Sequence, residues 1–446
     1  MVGTVIGSGV FFRNDQIFAV IGGNITIGIA AWLVGGLIAL SLVYVFSILS
    51  TKHEEAGGVG GLAEALMGEK FGYIFSWFQA TIYFPASMGI LAWVSGRFTV
   101  VLLGLDVNAS FSAQTYLFAL FYLIMIYTMN ALGPKLAEKF HVTCTFIKVI
   151  PLIAMGIIGL AIGIVNETTV ANINMVYTND ISGNPFFVSL VATAFAYVGW
   201  EITLNLNKEI INVKRNLPIA LVSGMLIVMV IYILYFIGLF GAAPVEQLSS
   251  GAGVLTAFAN TFTEIGGTVL FVFIIISCLG TLNGIVTATG RLFYMLAINR
   301  KGPKQELLSQ VDAVTNMPVN SMTLGLLFSG VWVLIFAGHL NGIFNFDVPG
   351  LTPIMFNGLS IPILFKMMIK ETSLNWFNRF IAPLVAISGA SFLIYAAIYS
   401  QGVSVLWFLG VCVVVIFVGL AIKRDRKDHL SISSADKKIP TNLYSS

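Results

Sequence analysis

The chain has 446 residues, of which 57% are hydrophobic and 10% are charged, with a formal net charge of +3. This composition and a mean hydropathy of +0.92 lie far outside the range of soluble globular proteins and predict a polytopic membrane protein in the lipid bilayer. The small net charge and the scattered basic residues exclude a nucleic-acid-binding arm, so no nucleic-acid partner is predicted.

The sequence has no pattern typical of a metal, cofactor or catalytic centre. Cys144, Cys278 and Cys412 all lie in apolar runs, where small core residues are expected and a disulfide framework is not. The histidines are too dispersed for a metal site. The glycine-rich stretch at residues 56–61 lacks the lysine and hydroxyl residue of a phosphate-binding loop. We therefore predict no cofactor and no enzyme activity.

The hydropathy pattern predicts twelve membrane-spanning segments, since a spanning helix needs roughly 20 apolar residues. They lie near residues 1–22, 27–50, 71–103, 115–132, 140–165, 186–207, 217–240, 267–298, 320–338, 347–369, 377–399 and 403–422. The first segment is interrupted at Gly7, and only six residues precede this interruption. Because this part of the segment is so short, a cytosolic start before Met1 is expected. The fold class expected is an all-α polytopic membrane protein.

Basic residues are distributed unevenly among the predicted loops. The outer loops, near residues 23–26, 104–114, 166–185, 241–266, 339–346 and 400–402, contain no lysine or arginine. The inner loops and the run that begins at Lys423 contain many. By the positive-inside rule, both termini are predicted in the cytosol of a multi-pass cell-membrane protein. The polar tail, residues 423–446, is expected to be disordered and cytosolic.

Two predicted helices are interrupted by glycine. The first interruption is Gly7-Ser8-Gly9, and the second lies at residues 195–201, around Gly199. Unwound backbone persists at membrane depth only where it is buried in protein or lines a cavity. In secondary transporters such broken helices form the substrate site. The two breaks predict two inverted repeats, residues 1–165 and 186–369, followed by two further helices at 377–422.

The ends of the broken helices carry opposite partial charges. Amides at the start of the half-helix after Gly7-Ser8-Gly9 are predicted to bind a carboxylate. Carbonyls released near Phe195 are predicted to bind an ammonium group, so the two ends together fit a zwitterion such as an amino acid. Close helix packing through small residues is the alternative explanation for the glycines.

Lys148 lies inside the apolar segment 140–165. A lysine at that depth costs about 3 kcal/mol on insertion scales, which makes it a functional hypothesis by default. Snorkelling to the cytosolic interface is the alternative. An ammonium held there could replace a bound sodium ion, with carbonyls and hydroxyls of neighbouring helices as its expected partners.

At these positions the chain resembles the L-amino acid transporter family of the amino acid–polyamine–organocation superfamily, and especially its bacterial alanine–serine–cysteine exchangers. The matching motifs occur in family order along nearly the whole chain. They are residues 3–11, residues 195–200 with Glu209 and Asn216-Leu217-Pro218, and residues 277–284 with Arg291-Leu292-Phe293. The resemblance implies a LeuT-like fold of five-plus-five inverted repeats with two additional helices, whose first and sixth helices are broken. It also implies sodium-independent exchange of amino acids.

The resemblance assigns roles to individual residues. Amides of Ser8 and Gly9 would hold the substrate carboxylate, Phe195 would be the outer gate, and Lys148 would bridge Gly7 to Ser277. Carbonyls of Val5, Phe195, Ala196 and Val198 would hold the amine. The substrate-binding set implied is Val5, Ile6, Gly7, Ser8, Gly9, Phe195, Ala196, Val198 and Gly199.

The chain departs from the family pattern at two places. Eukaryotic members bind a heavy subunit through a cysteine, but residues 103–114 contain none, so no disulfide-linked heavy subunit is predicted. Val198 stands where some members have glycine. The added bulk favours small substrates over aromatic ones.

These observations predict a sodium-independent exchanger of small neutral L-amino acids such as alanine, serine and cysteine, working by alternating access. A proton-coupled amino acid symporter is the first alternative, because a lysine can also titrate. A sensor that binds an amino acid without transporting it is the second.

Overall fold

The computed structural model describes residues 1–105, 112–174, 184–205, 210–249, 253–262, 264–299, 301–343 and 347–422. The regular structure in these ranges is entirely helical. The predicted cytosolic tail at residues 423–446 and Glu209 lie outside the described residues, so both remain predictions.

The first half of the chain forms nine helices within the described ranges. They are α1 (Val2–Val5), α2 (Gly9–Ile21), α3 (Ile25–Lys52), α4 (Gly58–Met67), α5 (Glu69–Phe78), α6 (Phe84–Leu102), α7 (Ala113–Leu132), α8 (Pro134–Val165) and α9 (Thr168–Asn174). A π-helical turn, Gln79–Tyr83, joins α5 to α6.

The second half continues in the same way. Its helices are α10 (Pro185–Ala196), α11 (Glu201–Asn205), α12 (Val213–Ala242), α13 (Val245–Gln247), α14 (Gly253–Phe262), α15 (Glu264–Thr289), α16 (Leu292–Ile298), α17 (Gln305–Leu308), α18 (Val319–Leu340), α19 (Val348–Lys370), α20 (Ala382–Gln401) and α21 (Ser404–Ile422).

Eleven helical stretches of the described chain are long and apolar enough to cross a membrane. The remaining predicted segment, residues 1–22, consists of α1 and α2 with non-helical backbone between them. Large apolar side chains are exposed on the outside of the helix bundle, including Phe146 of α8 and Trp407 of α21. The predicted all-α polytopic membrane fold is confirmed. The division into inverted repeats at 1–165 and 186–369 stays a prediction.

The third predicted segment differs from a simple helix because of its π-helical turn. Pro85 lacks an N–H, so it cannot bond back to the carbonyl of Thr81 one turn earlier. The indole N–H of Trp332 on α18 donates to that carbonyl at 2.8 Å. A distant tryptophan therefore stabilises a local irregularity that hydropathy does not reveal.

Glycines bring α8 and α12 into close contact. A Cβ atom at Gly238 of α12 would lie 2.6 Å from the Cα atom of Gly156 on α8. Small residues allow such backbone approach between membrane helices, where dispersion forces replace the hydrophobic effect. This contact fixes Lys148 of α8 and Tyr232 of α12 beside the first broken helix.

Candidate functional site

The first break separates α1, which ends at Val5, from α2, which begins at Gly9. Ser8 occupies the N-cap position of α2, yet no side chain of the described residues caps this helix, and its first turn contains no acid. The Ser8 hydroxyl is buried and has no hydrogen-bond partner in the described part of the chain. The amides of the first turn thus form an uncompensated positive helix end in a buried place.

The second break lies between α10, which ends at Ala196, and α11, which begins at Glu201. Gly199 has φ of +113°, a conformation that side-chain-bearing residues rarely adopt. Its amide donates to both carboxylate oxygens of Glu201, each at 3.1 Å. The Tyr83 hydroxyl also hydrogen-bonds to this buried carboxylate. The half-helix α11 therefore has an acidic residue of its own in its first turn, and α2 has none within the described residues.

The two breaks are in direct contact. A Cβ atom at Gly9 would lie 2.6 Å from the Cα atom of Ala196, and one at Gly199 would collide with the carbonyl oxygen of Thr4. Both glycines are therefore required for packing, whatever else they do. Close helix packing was the alternative explanation for these glycines. This packing occurs at the same place as the predicted ligand site.

Tyr232 of α12 bridges the carbonyls that face the breaks. Its hydroxyl lies 3.2 Å from the carbonyl oxygen of Val5 and 3.1 Å from that of Ala196. A phenol has one proton, so it donates fully to only one of these oxygens at a time. Among the other carbonyls assigned to the amine, that of Phe195 accepts the amide of Val198 at 3.3 Å. The Phe195 carbonyl also accepts the amide of Tyr197, whereas the carbonyls of Val5 and Ala196 each retain a second lone pair for a ligand.

Lys148 is fully buried, and its ammonium group lies between three helices. It donates to the carbonyl oxygens of Gly3 and Ile6, the latter at 2.7 Å, and to the Thr281 hydroxyl at 2.8 Å. The Thr281 hydroxyl in turn donates to the Ile6 carbonyl at 2.7 Å. The side chain does not reach the membrane interface, so the snorkelling alternative does not describe this structure.

The predicted bridge from Gly7 through Lys148 to Ser277 requires correction. The Ser277 hydroxyl donates directly to the Gly7 carbonyl at 3.3 Å, and Lys148 bonds Thr281, one turn further along α15. The reason is that the last carbonyls of a helix have no intrahelical partner. Those of the short α1 face α8 and attract the ammonium toward Gly3 and Ile6.

Phe195 and Trp200 lie on opposite sides of the second break. Phe195 is 7% exposed, at the last turn of α10. Trp200 packs against Phe46 and Phe356, with ring centroids 5.7 Å and 6.0 Å away. Val198 lines a cavity of about 30 Å³, space for about one water molecule. This volume is too small for an amino acid, and the residues that line the cavity include none of Gly7, Ser8, Gly9 and Phe195.

A much larger cavity, about 1230 Å³, lies at the end of the bundle that carries most basic residues. Its lining includes Lys52, Arg291 and Lys301, and it extends to Asn205, the last residue of α11. Lys301 forms an ion pair with Glu64 there at 2.6 Å. Solvent therefore approaches the second break from this end, which the positive-inside rule predicts to be cytosolic.

Sequence reasoning missed several residues that the structure brings to the breaks. Tyr232 and Tyr83 lie in apolar runs and gave no signal. Thr281 lies inside one of the matching motifs but had no predicted role. Arg13 had a usable signal, because an arginine within an apolar spanning segment is a functional hypothesis by default.

A membrane protein with two interrupted helices in contact at its centre, a buried uncapped helix end and a buried lysine is typical of secondary transporters. Comparison with known proteins agrees, since residues 1–422 match the family described as amino acid permease. The chain belongs to the amino acid permease family. This membership confirms the predicted superfamily and a multi-pass membrane protein.

Three relatives indicate the range of this family. The serine/threonine exchanger SteT of Bacillus subtilis (strain 168) is 30% identical over 337 residues, which cover 75% of this chain and 74% of SteT. The b(0,+)-type amino acid transporter 1 of Mus musculus is 26% identical over 434 residues, 94% of this chain and 84% of that protein. The putrescine transporter PotE of Escherichia coli (strain K12) is 26% identical over 410 residues, 89% and 88% of the two chains.

Proposed function

We propose that this protein is a sodium-independent exchanger of small neutral L-amino acids such as alanine, serine and cysteine, working by alternating access. The observation that carries the proposal is the contrast between the two half-helices. Glu201 places a carboxyl group in the first turn of α11, whereas the described residues supply no cap or first-turn acid to the buried N-terminus of α2. An α-carboxylate is an anion of the right size and charge to complete α2.

The amine of the substrate would bind the carbonyls at the breaks. Those of Val5, Phe195, Ala196 and Val198 lie at or beside the contact between α2 and α10, where Tyr232 already bridges two of them. An ammonium group donates three protons, so it suits a cluster of carbonyl oxygens. A zwitterion then satisfies both helix ends, and the valine at 198 favours a small side chain.

Sodium independence is supported by the surroundings of Lys148. The two carbonyls and one hydroxyl around its ammonium group are the type of ligands that coordinate sodium in transporters with broken helices. The fixed ammonium group of Lys148 binds these oxygens in place of a free sodium ion. Exchange is supported by the relative SteT, which is a serine/threonine exchanger. The predicted cytosolic position of both termini belongs to the same proposal.

Counterflow in proteoliposomes tests the proposal. Vesicles preloaded with alanine should take up labelled alanine faster than empty vesicles, to the same extent with and without sodium. Serine and cysteine should compete, whereas phenylalanine and putrescine should not. Two analogues test the helix ends separately: propionate lacks the amine and alanine methyl ester lacks the carboxylate. Competition by the ester equal to that of alanine would refute carboxylate binding at α2.

Proton-coupled symport is the second candidate, and a specific observation favours it. Two ionisable groups, Lys148 and Glu201, are buried beside the breaks. An imposed pH gradient, acid outside, should then drive accumulation of alanine in vesicles that contain no amino acid. Uptake that depends on the pH gradient and not on preloading would refute the exchanger and support the symporter.

A further inference from the structure

A histidine and a glutamate connect two helices at the end of the bundle that carries most basic residues. His53 is the C-cap residue of α3 and Glu371 is that of α19, and the imidazole Nε2 lies 2.9 Å from a carboxylate oxygen of Glu371. The two side chains are 28% and 14% exposed, so the pair is largely covered yet within reach of water. His53 also lines the large cavity. Its imidazole can therefore exchange a proton with the solution on this side of the protein.

The ends of both helices favour a positive charge on His53. The last carbonyls of α3 and α19 form negative helix ends, and Glu371 adds a carboxylate there, which is unfavourable unless a cation compensates it. A protonated imidazole supplies that cation. A neutral imidazole can still donate from Nε2, but such a hydrogen bond is only about half as strong as one from a charged donor. The strength of the link between α3 and α19 therefore depends on the proton of His53.

The other ionisable groups around the pair belong to residue types that keep their charge state near neutral pH. Carboxylates, lysines, arginines and tyrosines ordinarily titrate outside the range from about pH 5.5 to about pH 8, and histidine titrates within it. Lys52 donates to Ser373 at 3.0 Å, and Glu54 pairs with Lys214 at 2.8 Å. In the described part of the chain, the ionisable neighbours on the surrounding elements are Tyr44, Lys52, Glu54, Glu55, Lys214, Lys370 and Arg379.

The pair connects two helices that enclose the second break. Both α3 and α19 pack against α10, which ends at Ala196. Both also line the small cavity at Val198, α3 with Ala39 and α19 with Phe356. A link between the ends of α3 and α19 therefore restrains the helices on either side of the break, in the arrangement that contains the large cavity.

We propose that His53 and Glu371 form a pH-sensitive switch. With a proton on His53, the ion pair holds α3 to α19 and favours the arrangement in which the large cavity is open. Loss of the proton, at about pH 6.5 for an ordinary histidine, weakens the link and allows the cavity to close. Acid therefore favours the open cavity and alkali disfavours it. The consequence for transport, a dependence of exchange on cytosolic pH, rests on the proposed function.

Thiol labelling of purified protein in detergent tests the switch without a transport assay. Ala288 of α15 is 7% exposed and lines the large cavity, so Ala288→Cys is the reporter, and the buried native cysteines supply the background rate. The rate with a polar maleimide is divided by the rate of the same reporter in His53→Gln, which cancels the pH dependence of the thiol itself. This ratio should be roughly three at about pH 5.5 and near one at about pH 8, as expected for a partly exposed ion pair.

Three further variants make the result specific. His53→Lys keeps a cation at both pH values, so its ratio should remain raised at the alkaline pH. Glu371→Gln removes the negative charge of the pair, so its ratio should be near one at both. His339→Gln is the matched control, because His339 lies in the last turn of α18, next to a predicted outer loop. It should retain the pH dependence of the reporter.

Three outcomes would overturn the switch. They are an equal ratio at both pH values, a pH dependence that persists in Glu371→Gln, and a His53→Lys protein that labels like His53→Gln. Gel filtration verifies folding in each case. Because labelling needs no substrate, a cavity that responds to pH as expected in a protein without exchange activity would separate failure of the proposed function from failure of the switch.

Discussion

Gly9 on α2 lies against the backbone of Ala196 on α10, so that a methyl group at position 9 would stand 2.6 Å from the Ala196 Cα atom. Because the obstacle is backbone, it cannot move away by a rotamer change. Gly9→Ala should destabilise the fold by about 1–3 kcal/mol, the usual cost of overpacking, and should abolish exchange. Thermal unfolding in detergent and counterflow measure the two effects.

The matched control for Gly9 is Gly330 within α18, where no atom from another part of the described chain lies within 4 Å of the place that a Cβ atom would occupy. Gly330→Ala should be neutral or stabilising, since alanine is the better helix former. A Gly9→Ala protein as stable as Gly330→Ala would contradict the close contact between the two breaks.

Lys148→Met removes the ammonium group and keeps most of the side-chain volume. We expect exchange to fall at least tenfold, since a hydrogen bond to a charged group contributes about 1.5–3 kcal/mol and Lys148 makes three. The effect on the melting temperature should be smaller than the effect on exchange. Removing a buried charge offsets part of the stability that is lost with the three hydrogen bonds. Wild-type exchange rates would show that the ammonium is not part of the mechanism.

Tyr232→Phe deletes the hydroxyl that links the two breaks through Val5 and Ala196. Affinity for alanine should change by about fivefold, as expected for one hydrogen bond of about 1 kcal/mol. Tyr235→Phe is the control on the same helix, because its buried hydroxyl has no partner in the described part of the chain. Equal effects of the two substitutions on substrate competition would exclude the bridging role.

Glu201→Ala removes the carboxyl group that accepts the Gly199 amide and leaves this amide buried without an acceptor. The expected loss of stability is about 1–3 kcal/mol. Glu201→Gln retains a carbonyl oxygen that can accept this amide, so it should recover most of the loss. Thermal unfolding distinguishes the variants, and an equally unstable Gln variant would mean that the negative charge, and not the hydrogen bond, is required.

Hydropathy and glycine placement predicted much of the fold and the two helix breaks that form the candidate site. The spanning segments follow from the length of apolar runs, and the breaks follow from glycines within them. Local sequence could not predict contacts that depend on the three-dimensional arrangement. Tyr232 is one of several tyrosines in apolar helices, and only the approach of α12 to α1 and α10 makes it a bridge. Likewise, whether Ser277 or Thr281 meets Lys148 depends on the rotation of α15.

The uncapped start of α2 affects the energetics of the transporter when no substrate is bound. In the proposed function, an empty site leaves a buried helix dipole unbalanced, whereas a bound carboxylate neutralises it. Rearrangement of the empty protein across a low-dielectric barrier then carries an electrostatic penalty that the loaded protein avoids. A carrier built in this way returns slowly unless it carries a substrate, so inward flux of one amino acid becomes stoichiometrically linked to outward flux of another.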